Sequence, residues 1–445
     1  MVSTIGSFLT PLIGSMVVLA LPQMAAEYSA NAILVGWVPT IYILVTAMFL
    51  IPIGRISDIY GRKKVFLAGI LIIALSSFCA PFSPSFPFLI ACRALQGIGS
   101  ACIFGTSVAI VSSAFRKEEL GRALGINVTG VYAGLALGPL IGGLLTQYLG
   151  WRSIFFVMVP VCILITIIVC RFIHEEWIDP KSPQFDLPGS ILYATLVFFG
   201  VTGITMITQP AGVIALFISL ILLAVFIRHG MRTPFPVFDP RIFLQNRVFA
   251  LSNTAALINY SSTFAISFLL SLYLQIVKGF SPQSAGLILI AQPLMQVLFS
   301  PWAGRLSDRY EPGIVASLGM GLNALGLFAL SSITGETGIL MLIMALLFIG
   351  SGMALFSSPN TNAVMRSVTP GEYGVASATM ATMRQAGMAF SMGITLFLFT
   401  IYIGQAEIGP SEAAALVSAQ QVAFWIYALL CIVGVLISLV RVRHP

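Results

Sequence analysis

The chain consists of apolar runs of about 20 residues laid end to end, each long enough to cross the hydrocarbon core of a bilayer. Fourteen runs are predicted as helices, near 3–22, 33–53, 65–83, 87–110, 123–146, 151–173, 187–207, 211–228, 248–275, 283–303, 313–333, 338–358, 376–403 and 419–440. Gly, Pro and charged residues separate them, as at 54–64, 116–122, 174–186, 228–247 and 304–312. In lipid every backbone N–H and C=O must be satisfied internally, so runs of this length are helices. Only 8% of residues are charged, against about 25% in a soluble domain. The expected fold class is therefore all-α integral membrane, with the lipid bilayer as the chain's main solvent.

The basic residues give the topology. With the N-terminus placed in the cytoplasm, 18 of the 22 Lys and Arg residues fall in cytoplasmic loops or the tail. Only Arg152 and Lys278 fall outside, and Arg93 and Arg384 lie within helices. Cytoplasmic loops of membrane proteins are enriched in this way. An error in the helix count would scatter the charges, so the split predicts fourteen helices with both termini cytoplasmic. The first run has no basic segment ahead of it and is expected to be the first membrane helix, not a cleaved signal.

The net charge of +7 does not imply nucleic acid, because no dense basic stripe with interleaved aromatics exists. The six cysteines all lie in apolar runs without CxxC spacing, and the three histidines lie in polar loops or the tail. No metal or cofactor is expected from them.

The sequence repeats internally. Gly54-Arg55-Ile56-Ser57-Asp58 recurs as Gly304-Arg305-Leu306-Ser307-Asp308, each after the second helix of a six-helix block. The expected organisation is one bundle over 1–173, cytoplasmic loops and an inserted helix pair over 174–246, and a second bundle over 247–445. Duplicated bundles with a site between them are a transporter architecture.

Several motifs carry a family resemblance. Gly54–Lys64 joins the second and third helices, with Asp58 and Arg62 in place. The fourth helix holds Arg93-Ala94-Leu95-Gln96-Gly97, and the fifth holds Gly134, Gly138 and Gly142 on one face, with Pro139 between them. Together they resemble the signatures of the major facilitator superfamily, the fifth-helix pattern resembling its antiporter motif. The inserted helix pair, Leu19–Pro22, Trp37, Tyr42, Pro236–Phe243 and Arg384-Gln385-Ala386-Gly387 are similar to the fourteen-helix drug:proton antiporter branch. The resemblance covers essentially the whole chain. It implies multidrug-type efflux at the plasma membrane, linked to protons, and transport or conformational roles for Asp58, Arg62, Arg93, Gln96, Gly134, Gly138, Pro139, Gly142 and Asp308.

One departure matters. That branch usually carries an aspartate in its first helix, and here the place is held near Ile13. None of the fifteen carboxylates falls within a predicted helix. A carboxylate buried in the membrane is the usual proton carrier and the usual anchor for a cation. The polar residues left as candidates for a cavity are Asn253, Asn259, Tyr260, Gln292, Arg384 and Gln385, with Trp37 and Tyr42; helix–helix hydrogen bonding would serve each equally well.

The expected function is export of small apolar or amphiphilic compounds by alternating access. A facilitator or uptake carrier of the same fold, without proton coupling, is the alternative. A membrane enzyme or receptor is a remote third, since no nucleophile–base pair, metal cluster or nucleotide loop appears.

Overall fold

The structure, a computed structural model, describes residues 2–114, 117–173, 175–178, 185–369, 373–407 and 409–442. Arg116, Lys181 and Arg443, used above for topology, and His174 and His444 lie outside them.

Nearly every apolar run folds into one helix. The helices are α1 Val2–Val18, α2 Leu21–Tyr28, α3 Ala32–Tyr60, α4 Arg62–Cys79, α5 Phe86–Ala114, α6 Lys117–Leu149, α7 Arg152–Phe172, α8 Leu187–Thr205 and α9 Pro210–Arg232. There follow α10 Arg241–Gln245, α11 Arg247–Thr263, α12 Ile266–Leu272, α13 Pro282–Leu289, α14 Ala291–Arg309, α15 Pro312–Leu330, α16 Ile339–Arg366, α17 Tyr373–Tyr402 and α18 Ala413–Val442. Among the described residues thirteen spans are continuous enough to cross a membrane, and a bent pair makes the fourteenth.

Prolines account for several departures from straight helices. The run expected over 3–22 breaks between α1 and α2, which meet at 54°. Pro22 sits in the first turn of α2, where its missing N–H is tolerated; inside a continuous helix it would remove a bond and clash one turn back. In the tenth span, Pro293 clashes with the carbonyl four residues earlier, Leu289, where α13 ends. The ninth span breaks at Phe264–Ala265, and Ser391 Oγ accepts the freed Ala265 N–H at 3.1 Å.

Lipid gives helices no hydrophobic reason to associate, so small residues set the contacts. The internal repeat shows here. Gly69 of α4 faces Gly99 of α5, and Gly319 of α15 faces Gly352 of α16. These are the third and fourth, and the eleventh and twelfth, spans. A β-carbon at Gly69 would lie 2.7 Å from the Gly99 carbonyl oxygen, and one at Gly319 would lie 2.6 Å from that of Gly352.

The inserted helices α8 and α9 pack on each other, and α8 also packs on α3 and α17. Tyr193 of α8 donates to the Ala47 carbonyl of α3 at 2.9 Å. Asp186 ties the pair to the chain that follows it. One carboxylate oxygen lies 2.8 Å from His229 Nε2 and accepts the Gly189 N–H at 2.9 Å. The other accepts the Val237 N–H at 3.1 Å. Burial pushes the Asp186 pKa up, but the bonds from His229, Gly189 and Val237 outweigh it and leave the value below that of a free aspartate. Its stabilisation is therefore present above the unfolded pKa, about 3.9, and is lost as pH falls through the lower folded value. Thermal unfolding of the purified protein from neutral pH to about pH 3 should show Asp186→Asn less stable than wild type at neutral pH, with the gap narrowing on acidification. A gap independent of pH would contradict the charged tie.

Candidate substrate cavity

The sites of Thr10, Tyr42, Arg93, Tyr132, Tyr260, Gln292, Gln296, Met353 and Arg384 converge near mid-membrane around a cavity of about 150 Å³. The first five of the fourteen spans except α4 wall one side; α11, α12, α14, α16 and α17 wall the other. Phe104, Phe264 and Phe268 make much of the wall apolar. Among the described residues no Asp or Glu lines it.

Arg93 is fully buried. Its Nε donates to the Val38 carbonyl at 3.2 Å, and Nη1 donates to Gln96 Oε1 at 2.6 Å. Gln96 in turn donates to Ser77 Oγ at 3.0 Å. The guanidinium lies 4.5 Å from the Tyr42 ring centroid, and the Tyr42 hydroxyl donates to the Thr10 carbonyl at 2.8 Å. One donor, Nη2, has no partner. Thr10 Oγ1, Gln292 Oε1 and Gln296 Oε1, all on lining residues, are likewise buried without partners.

The glycine face of α6 lies against α1. A β-carbon at Gly134 or Gly142 would collide with the Phe8 or Met16 carbonyl oxygen, and one at Gly138 with Ser15 Oγ. Pro139 lines the cavity, and its carbonyl is the atom a β-carbon on Gly286 of α13 would strike.

The end that carries Glu27, Arg152 and Lys278 is the outer end by the charge rule. It is closed between the two halves. Ser271 Oγ donates to the Val18 carbonyl at 2.9 Å and Gln275 Nε2 to the Leu19 carbonyl at 3.2 Å. Asn31 Nδ2 donates to Gln405 Oε1 at 2.6 Å, and Tyr148 to Gln283 Oε1 at 3.0 Å. Deeper in, the Tyr132 and Ser357 hydroxyls meet at 2.5 Å.

The basic loops at the other end bond within their own halves. Helix α3 runs on to Tyr60, so Asp58 sits in its last turn, not in a loop. Arg62 Nη2 donates to Asp58 at 2.8 Å, and Arg62 also reaches the Ala109 carbonyl and Ser113 of α5. Asp308 is the exposed counterpart, 3.3 Å from Arg366 and from Asn362 Nδ2. Glu27 pairs with Arg152 and accepts from Trp151 Nε1 at 2.7 Å.

Of the residues singled out in the sequence, Tyr42, Arg93, Pro139, Tyr260, Gln292, Arg384 and Gln385 line the cavity. Trp37, Asn253 and Asn259 do not: Trp37 packs in the core, Asn253 Nδ2 bonds the Phe249 carbonyl, and Asn259 bonds Asn323 and Met353. Thr10, Phe104 and Tyr132 also line it and carried no signal of their own. Tyr132 precedes Gly134 by two residues, the one clue the pattern offered.

The family model described as "Major Facilitator Superfamily" matches residues 3–392 and 252–445. The riboflavin transporter RibZ of Clostridioides difficile is 29% identical over 444 residues, covering 99% of this chain and 96% of that protein. The cephamycin export protein CmcT of Amycolatopsis lactamdurans is 30% identical over 422 residues, covering 90% and 84%. The multidrug resistance protein Stp of Mycobacterium tuberculosis is 28% identical over 396 residues, covering 88% and 73%. A peptide transporter POT in complex with alafosfalin superposes with a TM-score of 0.69 at 14% identity, covering 99% of this chain and 95% of that one. These likenesses make the chain a transporter and not an enzyme. The chain belongs to the major facilitator superfamily and is a multi-pass transporter of the cell membrane.

Proposed function

We propose that the protein exports small apolar or amphiphilic compounds by alternating access, its first and last six spans rocking about the central cavity and 174–246 forming an inserted connector. The observation that carries this reading is the cavity itself, walled by both halves, apolar over most of its surface and furnished with unpartnered polar atoms. Such a site suits varied apolar guests with a few polar anchors. The names of the cephamycin and multidrug relatives favour outward transport. So does the glycine face of α6, which matches the antiporter-type motif.

A proton gradient is the drive we infer, coupled outside the cavity, because among the described residues the cavity lining holds no carboxylate. That same lack favours a second reading, a carrier that moves its substrate down a gradient. Uptake of a dye panel into inside-out vesicles, with and without an imposed proton gradient, separates them. Export requires gradient-dependent accumulation. Equal equilibration in both conditions favours the facilitator, and no movement of any compound rejects both.

Asp58 is the expected cytoplasmic latch. Its bond to Arg62 stays within one half here, as fits a state closed on the outer side. When the cavity turns outward, the same cluster is expected to meet the other half. A charge-assisted bond is worth roughly 1.5–3 kcal/mol, so Asp58→Asn should shift the population about tenfold or more toward inward-facing forms. Thiol accessibility at the two cavity mouths reads the shift, and unchanged accessibility would speak against a latch.

A further inference from the structure

The cavity carries charge of one sign only. Arg93 and Arg384 line it, and among the described residues no Asp, Glu, Lys or His does. Arginine stays protonated at any physiological pH. A guanidinium held away from water is costly unless something negative meets it. Arg93 is largely satisfied by Val38, Gln96 and the Tyr42 ring, with one N–H left over. Arg384 is half-buried, with Phe104 5.6 Å from its guanidinium carbon, and among the described residues it has no hydrogen bond and no ion pair. Across the cavity, Gln292 and Gln296 stand one turn apart on α14 with both amide oxygens buried and unpartnered. The site thus offers two positive groups and two unpartnered amide oxygens, and among the described residues no carboxylate that would neutralise a cation.

We propose that the cavity selects amphiphilic anions, compounds with a flat apolar body and one carboxylate or sulfonate group, with Arg384 as the anion anchor. This rests on the export reading and names its substrate class. The planar guanidinium presents two parallel N–H groups to a carboxylate, a geometry that lysine lacks. Arg93 holds a fixed positive field beside it. The aromatic walls take the apolar body, and the glutamine amides meet polar groups on its far edge. A cation of the same shape meets repulsion from both guanidinium groups, which contacts with amide oxygens and ring faces offset only in part.

The test is direct binding to purified protein in lipid nanodiscs at neutral pH, read by fluorescence polarisation. The probes are fluorescein, an anion, and a cationic rhodamine ester built on the same xanthene body. Fluorescein is expected to bind about tenfold tighter or more. Arg384→Gln should remove most of that advantage, by weakening fluorescein binding and by modestly tightening rhodamine binding as repulsion is lost, and Arg384→Lys should keep part of it. Thermal unfolding of both variants checks the fold, and the lysine variant keeps the test decisive if the glutamine variant is unstable. Equal or tighter binding of the rhodamine ester, or fluorescein binding indifferent to Arg384→Gln, overturns the proposal. Vesicles that export neutral or cationic dyes without preference for fluorescein leave the export reading standing and remove this one. Vesicles that move no dye remove both.

Discussion

Replacing Arg93 with alanine is expected to reduce transport by about a hundredfold or more while the protein still inserts in the membrane. The side chain makes two hydrogen bonds and a ring contact, linking α3 to α5, and keeps one buried donor, Nη2, without a partner. Bonds from a charged donor are worth roughly 1.5–3 kcal/mol each, and about 1.4 kcal/mol is a factor of ten. Losing two of them at the moving centre is enough for the expected loss. Alanine also leaves Gln96 Oε1 without its donor, so a lower unfolding temperature should accompany the defect. Arg93→Lys keeps the charge but not the fork and should fall between wild type and alanine. Substrate flux into vesicles, normalised to inserted protein, is the measurement. Normal flux in Arg93→Ala would reduce the residue to a packing element.

The second large effect is steric. Gly138→Leu should abolish transport, and Gly138→Ala should impair it less. Even a β-carbon at Gly138 meets Ser15 Oγ and approaches the Met16 nitrogen to 3.2 Å, so α1 must move. Overpacking of this kind costs about 1–3 kcal/mol when neighbours can shift, and more when the obstacle is backbone. Because α1 and α6 both wall the cavity, displacement of α1 deforms the site itself. Flux that falls with side-chain volume at position 138, while Gly321→Ala, where a β-carbon meets nothing within 4 Å, is tolerated, would support this account. Wild-type flux in Gly138→Leu would refute it.

The spans were legible because lipid imposes one rule on all of them: a run of about 20 apolar residues must be a helix. Where that rule does not reach, the sequence reading stopped short. The bend at Leu19–Ala20 follows from Pro22, yet proline also kinks helices without breaking them, as Pro139 shows inside α6. Arg93 was legible as a residue that needs a partner or a wet cavity, because an arginine inside hydrocarbon is costly, but which partner it takes, Gln96, was not. Asn253 and Asn259 were ambiguous for the same reason: amides in a membrane bond backbone or neighbouring helices as readily as a substrate, and here Asn253 bonds its own helix while Asn259 bonds Asn323 of α15. Thr10 and Phe104 had no sequence signal at all. Their place in the cavity depends on which face of each helix turns inward, and in lipid both faces are apolar.

The central claim is that the two halves rock, closing the outer end while the cavity opens inward. The outer contact of Asn31 with Gln405 offers a direct test. In a background free of the six native cysteines, Asn31→Cys and Gln405→Cys are joined by a disulfide or a short thiol cross-linker, and flux is measured before and after reduction. Rocking predicts that the cross-linked protein still binds substrate from the cytoplasmic side, moves none of it, and recovers on reduction. Full transport with the cross-link in place would contradict alternating access in this protein.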